Sequence, residues 1–88
     1  MEPLEKYLRP EVAAFARLME KRLRENDHKP GWKGDDPEDL FERVHDETCE
    51  LADELEAIPR RPGAIGKESA DAANMLMMVA DVCGALEE

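Results

Sequence analysis

Two segments rich in glycine and proline divide this chain of 88 residues into three stretches of helical character. They are NDHKPGWKGDDP, which begins at Asn26, and IPRRPGAIG, which begins at Ile58. Both segments break any continuing helix. The stretches around them are dominated by Ala, Leu, Glu, Met and Arg and lack the alternation and β-branched enrichment of strands. The spacing predicts helices over about residues 10–25, 37–57 and 66–86, with loops at 26–36 and 58–65.

Each predicted helix carries an apolar stripe at helical spacing. The stripes are Val12, Phe15, Met19 and Leu23; then Leu40, Val44, Thr48, Leu51, Leu55 and Ile58; then Met75, Val79, Val82 and Leu86. Pro10 and Pro37 suit first helical turns, and Asp36 is placed to cap the second helix, with Asp39 completing the pattern of a capping box. We therefore expect an all-α protein, a helical bundle of three main helices per chain.

The expected core is small. One domain over residues 1–88 buries only a modest fraction of its surface. Apolar residues make up 42% of the chain, and many of them are Ala, with only one Trp, one Tyr and two Phe. Met75, Met77 and Met78 cover more than one face of the third helix; they either meet another subunit, which we favour, or fill a loosely packed single core. We therefore expect oligomerisation to complete the bundle, as a homodimer or homotetramer.

The charge and the cysteines limit the classes of function. A net charge of -10 argues against general binding of nucleic-acid polymers. Cys49 and Cys83 lie far apart without a CxxC spacing, which favours a reduced, cytoplasmic protein and makes a poor case for zinc. No signal peptide is visible and no stretch reaches the roughly 18 apolar residues of a membrane span, so no membrane partner is expected.

Two helices carry pairs of acids beside their apolar stripes. Glu47 and Glu50 flank the second stripe, and Glu54 lies on the same flank. Glu68 is in line with the third stripe and Asp71 lies on its flank. Like charges three residues apart repel each other, which lowers stability unless a positive group lies between them. If the two helices pack antiparallel, four carboxylates converge in one partly buried cleft.

Each pair taken alone has a simpler explanation. Acids in a first turn are favoured by the helix dipole, and acids beside a stripe can be solvated. The recurrence of the spacing on two facing helices favours a metal site, because buried carboxylates normally pair with cations. Oxygen ligands suit Mg²⁺, with Mn²⁺ as the alternative. Such a site can polarise a phosphoryl oxygen and activate water, and a remaining carboxylate can act as general base.

Several further residues are candidates for substrate binding. Trp32 lies between Lys29 and Lys33 in the first loop. Its ring either stacks on a nucleobase, with the lysines near phosphates, or covers the core while the lysines are solvated. Asn74, one turn beyond Asp71, either bonds a base, a sugar or a ligating carboxylate, or is a tolerated polar residue at a helix interface.

From the edge of the first stripe, Arg22 and Asn26 could reach the same cleft. A surface salt bridge is the simpler role for Arg22.

The acidic segments also resemble a known family. DETCE, with Glu47 and Glu50, followed by ESAD, with Glu68 and Asp71, resembles the EExxE…ExxD signature of MazG-type all-α nucleoside triphosphate pyrophosphohydrolases. HKPGWKGDDPEDLFERVHDETCEL and ADAANMLMMVAD are similar to segments of the small phage-like and mobile-element branch of that family. The resemblance covers about residues 11–83.

The resemblance implies Mg²⁺-dependent hydrolysis of an NTP or dNTP to NMP and pyrophosphate, with a house-cleaning role. Carried over, the metal ligands are Glu47, Glu50, Glu68 and Asp71, and one of these carboxylates or Glu54 orients or deprotonates the water. The chain departs from the pattern at Asp46, where the signature has Glu, and at 64–65, where Ala and Ile replace a Lys-Arg pair. The phosphate-contacting residue therefore stays open.

Two other functions remain open. One is a non-catalytic helical interaction module whose acidic surface binds a basic partner. The other is an inactive relative that binds only nucleotide or metal.

Overall fold

Three α-helices make up most of the fold. The computed structural model describes residues 4–87. A short 3₁₀ turn, Leu4–Tyr7, precedes α1 (Pro10–Glu25), α2 (Pro37–Glu56) and α3 (Pro62–Val82). Within residues 4–87 there is no strand, so the all-α prediction is confirmed. The ends of the predicted domain, 1–3 and 88, lie outside the described residues.

The first two helices begin where their prolines predict. Pro10 and Pro37 stand in the first helical turns, where a missing N–H leaves no hydrogen bond unmade. Asp36 caps α2, because its Oδ1 accepts a hydrogen bond from the backbone N–H of Glu38 at 2.9 Å. α2 ends at Glu56, one residue before the predicted end.

The prediction for α3 was wrong by four residues at each end, because the helix runs from Pro62 to Val82 and not over 66–86. Its first turn contains Pro62. The sequence pattern places this proline in the loop, but proline also suits the first turn of a helix. Gly66 does not stop the helix; it lies where α1 passes closely, and a Cβ there would be 3.3 Å from Leu18 Cδ2. After α3, Gly84 adopts a left-handed φ of 75°, which ends the helix before Leu86.

α3 is the central helix and packs against both α1 and α2. The chain turns back between α2 and α3 through residues 57–61, so Glu54 near the end of α2 contacts Arg61 just before α3. Earlier residues of α2 lie beside later residues of α3, which is an antiparallel arrangement. The central position also gives a reason within one chain for the two-sided apolar pattern of α3: Met75 is buried, and Met77 and Met78 are half-buried.

The buried core is small, and much apolar surface stays uncovered. The buried apolar residues are Leu40, Ala70, Ala72 and Met75. Val12 is 48% exposed, and Ile58, expected in the stripe of α2, lies beyond the end of that helix and is 98% exposed. The radius of gyration is 14.4 Å, compared with about 12 Å for a compact domain of this length. The chain is therefore more extended than a self-sufficient domain.

Two smaller expectations concern the cysteines and the membrane. Cys49 and Cys83 are both free and exposed, so they form no disulfide with each other. Across residues 4–87, none of the helices combines the length and the apolar character needed to cross a lipid bilayer.

Candidate functional site

Three glutamates from two helices form a carboxylate cluster. Glu47 and Glu50 come from adjacent turns of α2, and Glu68 comes from the facing part of α3. One carboxylate oxygen of each lies within 4.8 Å of the others. Oε2 of Glu47 and Oε2 of Glu68 are buried and have no hydrogen-bond partner within the described part of the chain. The structure thus brings together three of the four predicted metal ligands.

The electrostatics of this cluster favour protonation in the absence of a cation. Burial, and then the charges of Glu50, Asp71 and Glu68, raise the pKa of Glu47 from 4.5 to about 7. Burial also raises the pKa of Glu68, and the nearby Glu50 carboxylate raises it further. Burial and like charge both disfavour ionised carboxylates. A bound cation would reverse both effects.

The cluster fits a hard divalent cation. Its donors are all carboxylate oxygens, which Mg²⁺ and Mn²⁺ prefer. Oxygens that share an octahedral Mg²⁺ lie about 2.9–4.1 Å apart, given Mg–O distances of about 2.0–2.1 Å. The three carboxylate oxygens lie within 4.8 Å of one another, close enough for one ion to contact all three.

Asp71, the fourth predicted ligand, is held by an arginine. Its Oδ1 accepts from Arg22 Nε at 2.8 Å and its Oδ2 from Arg22 Nη2 at 3.1 Å. The two side chains are 17% and 19% exposed. The hydrogen bond to Asp71 is also the main reason that the pKa of Arg22 is raised. Asp71 lies close enough for its negative charge to raise the pKa of Glu47. By pairing with Asp71, Arg22 places a positive charge at the edge of the cluster.

Glu54, predicted as a candidate for positioning water, lies outside the carboxylate cluster. Both of its oxygens accept hydrogen bonds from Arg61 Nη2, at 2.5 and 2.8 Å. The Glu54 side chain is 18% exposed, whereas Arg61 is 67% exposed, so the pair lies at the surface. Glu54 must therefore leave Arg61 before it can act on water, and its catalytic role stays a prediction.

A pocket of about 440 Å³ adjoins the carboxylate cluster. This volume is in the usual range of small-molecule sites. Glu47 belongs to both the cluster and the pocket wall, and Asp71 lines the pocket as well. The loop between α1 and α2 contributes Lys29 and Trp32, and α3 contributes Asn74. Three of the four predicted substrate-binding residues therefore meet beside the cluster.

Lys33, the fourth, is engaged elsewhere. Its Nζ donates to Asp81 Oδ2 at 2.6 Å, and Trp32 Nε1 donates to the same oxygen at 2.8 Å. Lys33 Nζ also lies 5.6 Å from the centroid of the Trp32 ring. Lys33, and then Trp32, hold the pKa of Asp81 below its usual range. Asp81 therefore ties the loop to α3 and fixes the indole at the pocket wall.

Sequence reasoning missed Asp81. The available signal was its position seven residues after Asn74, which places both on the same face of α3.

Asn74 links α3 to α1 at the pocket. Its Nδ2 donates to the backbone oxygen of Met19 at 3.0 Å. Its Oδ1 is buried without a hydrogen-bond partner within residues 4–87, and the residue is 4% exposed. Asn74 is thus both an element of helix packing and a part of the pocket with an unmet hydrogen bond.

Comparison with known protein families, with curated proteins and with solved structures finds no match for this chain. The family resemblance therefore stays a prediction that depends on the acidic segments and the loop quoted above.

Proposed function

We propose that this protein is a Mg²⁺-dependent nucleotide pyrophosphohydrolase that cleaves an NTP or dNTP to NMP and pyrophosphate. One observation carries the proposal: buried carboxylate oxygens of Glu47 and Glu68 that lack partners belong to a cluster that adjoins the tryptophan-walled pocket. A hard cation in the cluster and a nucleoside in the pocket would place a polyphosphate between them. The MazG-type resemblance supports the same activity.

The roles of the residues follow from this arrangement. Glu47, Glu50 and Glu68 would hold Mg²⁺, and Asp71 would join them when Arg22 turns toward a phosphate. The bound ion supplies polarisation of a phosphoryl oxygen and a more acidic water. Trp32 would bind the base, and Lys29 and Arg22 would neutralise the phosphates.

The proposed bond changes are simple. The oxygen of water bonds to phosphorus at the α–β anhydride, the bridging P–O bond breaks, and pyrophosphate leaves. The proton of the water passes to a carboxylate of the site. Glu47 is placed to take this proton, because it belongs to both the carboxylate cluster and the pocket wall.

The proposal includes a homodimer. The accessible surface of the chain is 6869 Å², about 1,600 Å² more than the roughly 5,200 Å² expected for a compact protein of this mass. A standard interface buries about 800 Å² per partner. Tyr7, Val12 and Phe15 expose apolar area at the start of the chain, as do Phe41 and Leu76 on the other helices. Light scattering after gel filtration should therefore give twice the chain mass, and a monomer at micromolar concentration would contradict the dimer.

We also propose that the enzyme acts on the cytoplasmic nucleotide pool, where it removes unwanted nucleotides. The free thiols of Cys49 and Cys83 fit a reducing compartment.

One observation favours a second candidate, a relative that binds nucleotide or metal without catalysis. Both oxygens of Asp71 are engaged by Arg22, so one of the four predicted ligands is already neutralised without a metal. In that case Mg²⁺ and nucleotide would stabilise the protein, but no product would form.

A pyrophosphate-release assay on a panel of NTPs and dNTPs separates these candidates. The wild type should release pyrophosphate with Mg²⁺, and Glu68→Gln should lower kcat by at least about a hundredfold. Asp53→Asn, an exposed change on α2, is the matched control and should keep full activity. If the folded wild type cleaves no nucleotide with Mg²⁺ or Mn²⁺, the enzymatic proposal is wrong.

A further inference from the structure

Two asparagines in the pocket wall have amide orientations that the structure fixes. Asn74 Nδ2 faces the backbone oxygen of Met19, which can only accept, so the orientation of the amide is settled and Oδ1 is the group left over. Asn26 repeats this arrangement, because its Nδ2 donates to the backbone oxygen of Arg22 at 3.0 Å. Both asparagines line the pocket, and in each of them one N–H of the amide is engaged by a backbone oxygen.

The arginines in the pocket wall both contact acids. Arg22 is paired with Asp71, and Arg43 lies 3.5 Å from Asp35. Lys29 is an exposed cation at the pocket and is suited to a phosphate. A ligand N–H or O–H would satisfy the unpartnered Oδ1 of Asn74.

The buried oxygen of Asn74 points to a ligand and not only to helix packing. Its Nδ2 bond to Met19 already ties α3 to α1. A buried acceptor without a partner destabilises a protein, so its retention within a ligand-sized pocket indicates a donor supplied from outside. The apolar part of the wall, with Trp32, Leu23 and Met78, suits a flat ring.

We propose that this pocket selects nucleotides whose base carries an exocyclic amino group, with Asn74 and Asn26 accepting hydrogen bonds from the base. The inference rests on the proposed function for the identity of the ligand as a nucleotide. Cytosine and adenine present an amino donor, whereas thymine and uracil present carbonyl acceptors at the corresponding position. A carbonyl there would face the oxygen of Asn74, leaving both groups unpaired. Sites built around a buried polar group reject such analogues.

The single tryptophan of the chain makes the test independent of catalysis. Trp32 lies in the pocket wall, so its fluorescence reports occupancy directly. Wild-type protein is titrated in EDTA with two matched pairs, dCMP against dUMP and AMP against IMP. Each pair differs at the amino or keto group of the base and in the hydrogen on the adjacent ring nitrogen. We expect the amino member to bind about tenfold more tightly in both pairs, the effect of one hydrogen bond.

Variants separate recognition from a merely structural role. Asn74→Leu should bring the affinity ratio of dCMP to dUMP toward one, whereas a structural defect would weaken both ligands and leave the ratio unchanged. Asn26→Ala, at a partly exposed position, gives the same test where the Asn74 variant does not fold. Asp53→Asn should keep the wild-type ratio.

Three results would overturn the inference. The first is equal affinity within each wild-type pair, with or without a loss of binding for dideoxy-CMP. The second is a ratio that both asparagine variants leave unchanged. The third is no fluorescence response to any of the nucleotides. Pyrophosphate release distinguishes the two proposals. Equal cleavage of all nucleotides would support the proposed function and contradict the selectivity. Selective binding without cleavage would support the selectivity and contradict the proposed function.

Discussion

Arg22 donates two hydrogen bonds to Asp71 across the contact between α1 and α3, and so neutralises the carboxylate that borders the glutamate cluster. The pair is 17% and 19% exposed, so it is shielded from water more than an ordinary surface ion pair. It joins helix packing to the site, because the same contact that holds α1 on α3 determines the charge beside Glu47.

Removal of Arg22 should lower stability and increase the response to Mg²⁺. Arg22→Ala leaves Asp71 unpaired beside three glutamates, and we expect a loss of about 2 kcal/mol in the free energy of unfolding without metal. Asp71 is then free to bind Mg²⁺, so the rise in Tm on adding Mg²⁺ should exceed that of the wild type. Thermal melts with EDTA and with Mg²⁺ measure both effects.

Arg24→Ala is the matched control for this change. Arg24 pairs with Glu20 on the surface and is 75% exposed, so its loss should change stability by less than about 0.5 kcal/mol. If the two variants have equal stability, the Arg22–Asp71 pair does not contribute the expected free energy to the folded state.

The metal-free protein should lose stability as the pH rises from about 4.5 to 7. Below pH 4.5, Glu47 is protonated in both the folded and the unfolded chain, so its contribution is fully present. Between 4.5 and about 7 the unfolded chain releases this proton while the folded protein retains it, and the folded state is progressively disfavoured. Urea unfolding in EDTA at several pH values should show the decline, and Glu47→Gln should flatten it. An equal decline in the variant would mean that Glu47 is not the responsible group.

Mg²⁺ should stabilise the protein more at pH 8 than at pH 5.5, because only ionised carboxylates bind the metal. At a Mg²⁺ concentration tenfold above Kd the expected gain is about 1.4 kcal/mol, or roughly 6–11 °C in Tm for a domain of this size. Differential scanning fluorimetry at the two pH values measures the gain. Glu68→Gln should remove most of it, and an undiminished shift in that variant would place the metal elsewhere.

Loss of Asp81 should release the loop between α1 and α2 that carries Trp32. Asp81→Ala removes the shared acceptor of Trp32 and Lys33, so the emission of Trp32 should move to longer wavelength as the indole becomes wetter. We expect KM for a nucleotide to rise about three- to tenfold while kcat changes less, because the carboxylate cluster is untouched. Asp81→Asn keeps an acceptor for Trp32 and should be intermediate. If KM and emission stay at wild-type values, the loop does not depend on Asp81.

The starts of α1 and α2 could be predicted because local chemistry decides them. A proline in the first turn and the Asp36 cap act within a few residues. The start of α3 could not be predicted in this way, because any of several prolines and glycines in residues 58–66 could mark the end of the loop. Gly66 was read as a break, yet it serves the close contact with Leu18, which no local pattern reveals.

The carboxylate cluster could be predicted because it depends mainly on spacing along each helix. Glu47, Glu50 and Glu68 follow from helical spacing and one antiparallel contact. The partners of Asp71 and Trp32 could not, since Arg22 and Asp81 each lie 49 residues away along the chain. These contacts depend on how α1 and the loop lie across α3.

³¹P NMR of a nucleotide panel incubated with the protein and Mg²⁺ identifies which phosphoanhydride bond the protein cleaves. We expect equal amounts of nucleoside monophosphate and pyrophosphate from the wild type, and no turnover from Glu68→Gln. Three outcomes would rule out the proposed hydrolysis: unchanged nucleotides with folded wild-type protein, release of orthophosphate with a nucleoside diphosphate, or full activity in the Glu68 variant.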